Sequence, residues 1–217
     1  MAFDSKKYLE IRDFLRQYSL NNNRSMTKII AVTKYSQIED INEALNFGIR
    51  DFGEIRVQDA FNKYMNLKNI FEDLKLHMIG TMQKNKVKKA IKIFDYFHSL
   101  DSTGLAIEFS KYPEEISSKK FFVQVNTGYE EQKSGILPKN ASEFIKYCVF
   151  DLHINVVGLM CIPPINEEAR KHFIVLNNMA LKNNLKQLSI GMSRDYKCAV
   201  ECGATLIRIG SDFFRNV

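Results

Sequence analysis

No apolar run in the 217-residue sequence approaches the roughly 20 residues that a membrane-spanning helix needs. The opening "MAFDSKKYLEIRDFL" lacks both the apolar stretch and the small-residue cleavage site of a secretion signal. These absences predict a cytoplasmic protein with no membrane partner. The four cysteines, Cys148, Cys161, Cys198 and Cys202, form no CxxC pair, which favours reduced structural thiols over disulfides or zinc. Cys198 and Cys202 share a helix face, a spacing that by itself makes a poor metal site. Low-complexity segments and linkers are absent too, and "YPEEISSKK" reads as a polar loop. What is there, 25.2 kDa with 45% hydrophobic residues, suffices for one globular domain over residues 1–217.

Lys and Arg number 31 against 25 Asp and Glu, a net charge of +6. That excess attracts an anionic small molecule or, weakly, nucleic acid, and does not choose between them. The densest basic run, "QKNKVKKAIKIF", places Lys84, Lys88 and Lys92 at helical spacing opposite Val87, Ile91 and Phe94. Without interleaved exposed aromatics this is a solvated helix face, and nucleic-acid binding through Lys84–Lys92 stands only as a second alternative.

An amphipathic helix is predicted from Asp4 to about Leu20, within residues 1–22, followed by the turn-like "NNNRS". Short apolar runs then alternate with helical patterns. The candidate strands are "KIIAVTK", "RDFGE", "LHMIG", "YFHSL", "KFFVQVNTG", "INVVGLMC", "QLSIG" and "TLIRIG". Eight strands with intervening helices predict a (β/α)8 TIM barrel of the α/β class, with the N-terminal helix packed on it; an open doubly wound sheet is the alternative.

In such a barrel the functional residues come from the C-terminal ends of strands and the loops that follow. Lys34 ends the first candidate strand. There it either offers an amine in the barrel mouth, where partial burial lowers its pKa and frees it to attack an aldehyde or ketone, or lays its stem over apolar surface. After the seventh strand come Gly191 and Ser193, ahead of a helix that Asp195 helps to start; after the eighth come Gly210 and Ser211. Each pair alone reads as an ordinary turn, whereas both together, at the last two strands of a barrel, suggest a phosphate clamp. Arg208 interrupts a buried-looking strand and needs partners: either a carboxylate in the barrel interior such as Glu54, or a ligand. A lysine, a phosphate cradle and an arginine between them suit pyridoxal 5′-phosphate.

The ordered set "AVTK", "FGE" then "VQD", "HMIGTMQKNK", "HSLD", "VNTGYEEQKSGI", "GLMCIPP", "SIGMSRD" and "RIGSDFF" resembles the YggS/PROSC family of pyridoxal phosphate homeostasis proteins, from about Lys28 to Phe214. The resemblance implies the fold of the alanine racemase N-terminal domain, a monomer, and a role in vitamin B6 and amino-acid homeostasis. It also implies that Lys34 forms an aldimine with the cofactor, that Ser193 and the amides of Gly210 and Ser211 hold its phosphate, and that Arg208 faces the pyridine nitrogen. The chain departs from the family pattern at Ile55 and Arg56, in place of an Asn-Tyr pair, and at Thr81, Met82 and Lys84. Ile55 removes a polar side chain near the cofactor ring, which implies weaker binding than is usual for the family.

Racemisation or decarboxylation needs an electron sink at the ring and acid-base groups on both faces of the substrate. An arginine opposite the pyridine nitrogen disfavours its protonation and weakens the sink. Related racemases supply the opposite-face tyrosine from a second domain, and with the sequence ending at Val217 no such domain is expected. The expectation is therefore a carrier that buffers or delivers the cofactor, with transient contact to pyridoxal phosphate-dependent apoenzymes, and no robust catalysis; an amino-acid racemase or lyase is the alternative. His77 and His98 read as packed wall histidines, His153 and His172 have no legible partner, and Tyr129 and Lys133 are placed to line the mouth. Met160 and Met192 read as packing residues.

Overall fold

Eight parallel strands follow one another in chain order around a closed barrel, β1 pairing with β2 and so on until β8 returns to β1. The computed structural model describes residues 3–214. The strands are β1 (Lys28–Val32), β2 (Asp51–Glu54), β3 (Lys75–Met78), β4 (Tyr96–Leu100), β5 (Lys120–Gln124), β6 (Val156–Met160), β7 (Gln187–Ser189) and β8 (Leu206–Ile209). Seven fall inside the predicted runs and β3 starts one residue before its run, at Lys75; β4 coincides with its run. Run residues past the strand ends, such as Thr33 and Lys34, begin the loops at the mouth.

The helices are α1 (Ser5–Asn21), α2 (Ile38–Asn46), α3 (Val57–Ile70), α4 (Val87–Ala90), α5 (Thr103–Ser110), α6 (Pro113–Ile116), α7 (Pro138–Lys146), α8 (Ala169–Lys182) and α9 (Tyr196–Glu201). The Asp4 carboxylate caps α1 by accepting from the Lys7 N–H at 2.8 Å. Ile11 and Leu15 bury one face of α1, and Phe14 meets the Tyr196 ring of α9 edge-on at 5.7 Å. The first and last described residues approach each other, with the Asp4 N–H bonded to the Phe213 carbonyl at 2.9 Å.

Alternation along the strands divides the core in two. Ile30, Phe122, Met160 and Leu206 form a separate cluster inside the barrel. Their neighbours in sequence, such as Ala31, Phe121, Leu159 and Ile207, belong to the larger cluster between strands and helices. The predicted basic helix is broken: Lys84–Lys86 is a 3₁₀ turn and α4 spans four residues. Val87, Ile91 and Phe94 are nevertheless buried, as the periodicity requires. All four cysteines are free, and among the described residues no cluster of His, Cys, Asp or Glu could hold a metal ion. No helix among them is long and apolar enough to cross a membrane.

Candidate functional site

Lys34 stands two residues beyond the end of β1. The Thr33 N–H extends the ladder by one bond, to the Gly53 carbonyl at 3.0 Å. Thr33 itself faces the helices, where its hydroxyl donates to Glu54 Oε1 (2.8 Å) and accepts from the Tyr64 hydroxyl (2.6 Å). Lys63 completes the knot, donating to the Thr33 carbonyl at 2.7 Å and to Glu54 Oε1 at 3.0 Å. Burial pushes the Glu54 carboxyl above its ordinary value, against the opposing charge of Lys63. The strand end that carries Lys34 is thus held from behind by a buried ion pair. Lys34 is exposed at the mouth, its Nζ 4.9 Å from the Tyr35 ring centroid, so the partial burial expected of it is not there.

Arg208, in the middle of β8, is 5% exposed and points inward. Glu54 is not its partner, because Glu54 lies on the other side of the sheet with Lys63. Instead Nη1 donates to the Ser189 carbonyl (2.6 Å) and to Ser189 Oγ (2.7 Å), and Nη2 donates to the Cys161 carbonyl (3.1 Å). A guanidinium has five N–H groups, so Nε–H and one Nη2–H bond to nothing among the described residues. No carboxylate there makes an ion pair with it. Burial lowers Arg208 from its ordinary pKa, yet a guanidinium stays charged at neutral pH.

The loops after β7 and β8 meet at this site. Ser211 Oγ donates to Ser193 Oγ at 3.1 Å. Among the described residues the backbone N–H groups of Ser193, Arg194, Gly210 and Ser211 make no hydrogen bond. Exposed amides beside small residues are what an anion binds. Asp195 precedes α9, as expected, but its side chain does not cap that helix; Oδ1 accepts from the Met192 N–H at 2.6 Å and shapes the loop instead. Gly191 makes this turn at φ +93°, and a Cβ there would stand 2.6 Å from the Ala199 Cβ.

One cavity of about 610 Å³ joins these parts. Lys34, Ser193, Arg208, Gly210 and Ser211 all line it, with Val32, Ile55, Ile79, Ile162 and Met192 as apolar wall. Tyr129 and Lys133 do not; Tyr129 is exposed and Lys133 pairs with Glu130 at 2.6 Å. Met160 packs inside the barrel. His172 has partners that its sequence position did not reveal, Thr127 Oγ1 at 3.1 Å and Glu167 Oε2 at 3.2 Å, and Glu167 reaches the cavity. His77 and His98 are fully buried, as wall residues would be, but they hydrogen-bond to each other at 2.9 Å within a longer polar chain. The polar interruptions in their strands were the signal for it.

Residues 14–215 match the family model described as alanine racemase, N-terminal domain. The chain is 37% identical over 198 residues to the pyridoxal phosphate homeostasis protein of Helicobacter pylori, covering 88% of each. It is also 37% identical over 200 residues to the protein of that name from Aquifex aeolicus, covering 86% of each. Among solved structures it is similar to PipY of Synechococcus elongatus at 31% identity. The form without PLP superposes with a TM-score of 0.85 over 96% of this chain and 98% of that one, and the form with PLP bound with a TM-score of 0.77 over 92% and 98%. Alanine racemase from Corynebacterium glutamicum shares the fold at 16% identity and a TM-score of 0.72, with 62% of that chain covered.

Proposed function

Because the chain belongs to the alanine racemase N-terminal domain family and, within it, to the pyridoxal phosphate homeostasis proteins, we propose that it binds pyridoxal 5′-phosphate at the barrel mouth and holds it for vitamin B6 and amino-acid homeostasis. The observation that carries this reading is the meeting, in one cavity, of a lysine, a charged guanidinium with two uncommitted N–H groups, and a pair of serines among open backbone amides. The donor set fits the cofactor's three polar ends, and the volume suits a ligand of its size.

When bound, pyridoxal 5′-phosphate would supply an electrophilic aldehyde for an amine at the mouth. Among the described residues, Lys34 is the one amine on the cavity wall. Ser193 would donate its hydroxyl to the phosphate, with the Ser211 hydroxyl donating to Ser193 Oγ behind it and the Gly210 and Ser211 amides alongside. Arg208 would donate to the ring nitrogen and, being cationic, would disfavour its protonation. Ile55, Ile79, Ile162 and Met192 would exclude water from the ring, and Ile55 would offer it no hydrogen bond.

The arginine favours a carrier over an amino-acid racemase or lyase, since it weakens the ring as an electron sink. Such a carrier is a cytoplasmic monomer that hands its cofactor to apoenzymes in transient contacts. The Lys84–Lys92 face gains no support as a nucleic-acid site: Lys89 donates to Gln58 and lies over the Phe61 ring. The test is spectroscopic. Protein mixed with the cofactor should show visible absorption that Lys34→Ala abolishes while circular dichroism stays unchanged. Sustained product formation from any amino acid over many turnovers would overturn the carrier reading.

A further inference from the structure

A line of polar side chains crosses the barrel interior from its foot to its mouth. Asp51 Oδ1 lies 3.1 Å from His77 Nε2, His77 Nδ1 lies 2.9 Å from His98 Nε2, and His98 Nδ1 lies 2.8 Å from Ser189 Oγ. Ser189 Oγ then accepts from Arg208 at 2.7 Å. Asp51 is the first residue of β2 and opens onto a separate cavity at the foot of the barrel. His77 stacks on Tyr96 at 4.3 Å and His98 on Phe122 at 4.4 Å, which fixes both rings in place.

Direction along this line is determined. A carboxylate only accepts, so His77 carries its proton on Nε2. A neutral His77 then accepts at Nδ1, so His98 carries its proton on Nε2 as well. His98 Nδ1 is left to accept the Ser189 hydroxyl proton, and Ser189 Oγ keeps its lone pairs for the guanidinium. Burial lowers both histidines, His98 the further because His77 and Arg208 also face it, which keeps them neutral. Burial pushes Asp51 up, but the His77 hydrogen bond and the nearby Lys28 and Lys75 charges leave it below its ordinary value and ionised.

We propose that Asp51, His77, His98 and Ser189 are positioning residues for Arg208, a one-way hydrogen-bond relay that holds the guanidinium with its uncommitted N–H groups aimed at the cofactor ring. The proposal rests on the cofactor reading above. Ser189 is its last link: with both its carbonyl and its hydroxyl on Nη1, the arginine cannot rotate without breaking two bonds at once. Removing the hydroxyl frees one Nη1–H to compete with the ring for the guanidinium's orientation, and leaves His98 Nδ1 without a donor.

Two measurements test the relay. In cofactor-free protein, ¹⁵N NMR of the histidine rings at neutral pH should show His77 and His98 both neutral and both protonated on Nε2; a proton on Nδ1 of either ring, or a doubly protonated ring, overturns the relay. In Ser189→Ala, affinity for pyridoxal 5′-phosphate should fall by about tenfold, the loss of one hydrogen bond to a charged group, while affinity for inorganic phosphate stays within about twofold of wild type. Unchanged cofactor affinity, or equal loss for both probes, removes the positioning role. Wild-type protein that binds inorganic phosphate but not the cofactor sinks the cofactor reading and the positioning role with it, whereas the ring tautomers still decide whether the chain of protons exists.

Discussion

Ser193 and Ser211 come from loops 18 positions apart in sequence and meet at 3.1 Å, each leaving lone pairs and amides open to the cavity. If they hold a phosphate, Ser193→Ala should weaken cofactor binding by about 1 to 2 kcal/mol, the cost of one hydrogen bond to a charged group. Pyridoxal without its phosphate should bind far more weakly than the phosphorylated form in the same titration; equal affinities would contradict the clamp. At this scale the sequence was informative wherever a residue broke a pattern. Lys34 after a β-branched run, Arg208 inside an apolar strand and the two glycine-serine pairs were all conspicuous, and Lys34, Arg208, Ser193, Gly210 and Ser211 reach one cavity. Partners were not legible. Nothing local says that Arg208 turns to Ser189 and Cys161 while Glu54 turns outward to Lys63, because that depends on which face of the sheet each residue occupies and on elements far away in sequence.

The turn between β7 and α9 shows how an element is tuned to the site. Gly191 takes φ +93°, Asp195 ties the next N–H down at 2.6 Å, and the Arg208 N–H bonds to the Gly191 carbonyl at 2.9 Å. Gly191→Ala would impose a left-handed conformation on alanine and push its Cβ against Ala199, so a loss of about 1 to 3 kcal/mol is expected, read as a lower urea midpoint. A midpoint unchanged from wild type would show that the turn relaxes. Strand positions were legible because eight apolar runs alternate with helical patterns, and every strand from β1 to β8 overlaps its run, β3 alone starting one residue early. Their ends were not, since hydrogen bonding to neighbouring strands, rather than propensity, decides where a ladder stops. The same limit explains the basic segment: its periodicity is helical, but Lys84–Lys86 adopts a 3₁₀ turn, and α4 is held to four residues between that turn and the start of β4.

On the scale of the whole molecule, a barrel that fills its interior with two neutral histidines is sensitive to acid. His77 and His98 have folded pKa values below 6.5, chiefly through burial, and the groups facing them are Asp51, Asp95, Lys28, Tyr96 and Arg208. As pH falls through 6.5 the unfolded chain takes up protons that the folded one resists, so stability drops on the acid side. Glu54, raised by burial, works in the opposite sense. Wild type should therefore denature at a lower urea concentration at pH 5.5 than at pH 7.5, and His98→Phe, which keeps the ring stack on Phe122, should flatten that difference. The closed barrel itself was legible from the alternation of eight strands with helical segments. The polar line through it was not, because interior contacts across a barrel join residues as far apart as His98 and Ser189, 91 positions in sequence. Binding of pyridoxal 5′-phosphate at this mouth through Lys34 leaves a covalent trace on reduction. Borohydride reduction of the loaded protein, followed by peptide mass spectrometry, should place the cofactor's mass on the peptide containing Lys34; a label on another lysine such as Lys133, or no label at all, would show that Lys34 does not hold the cofactor.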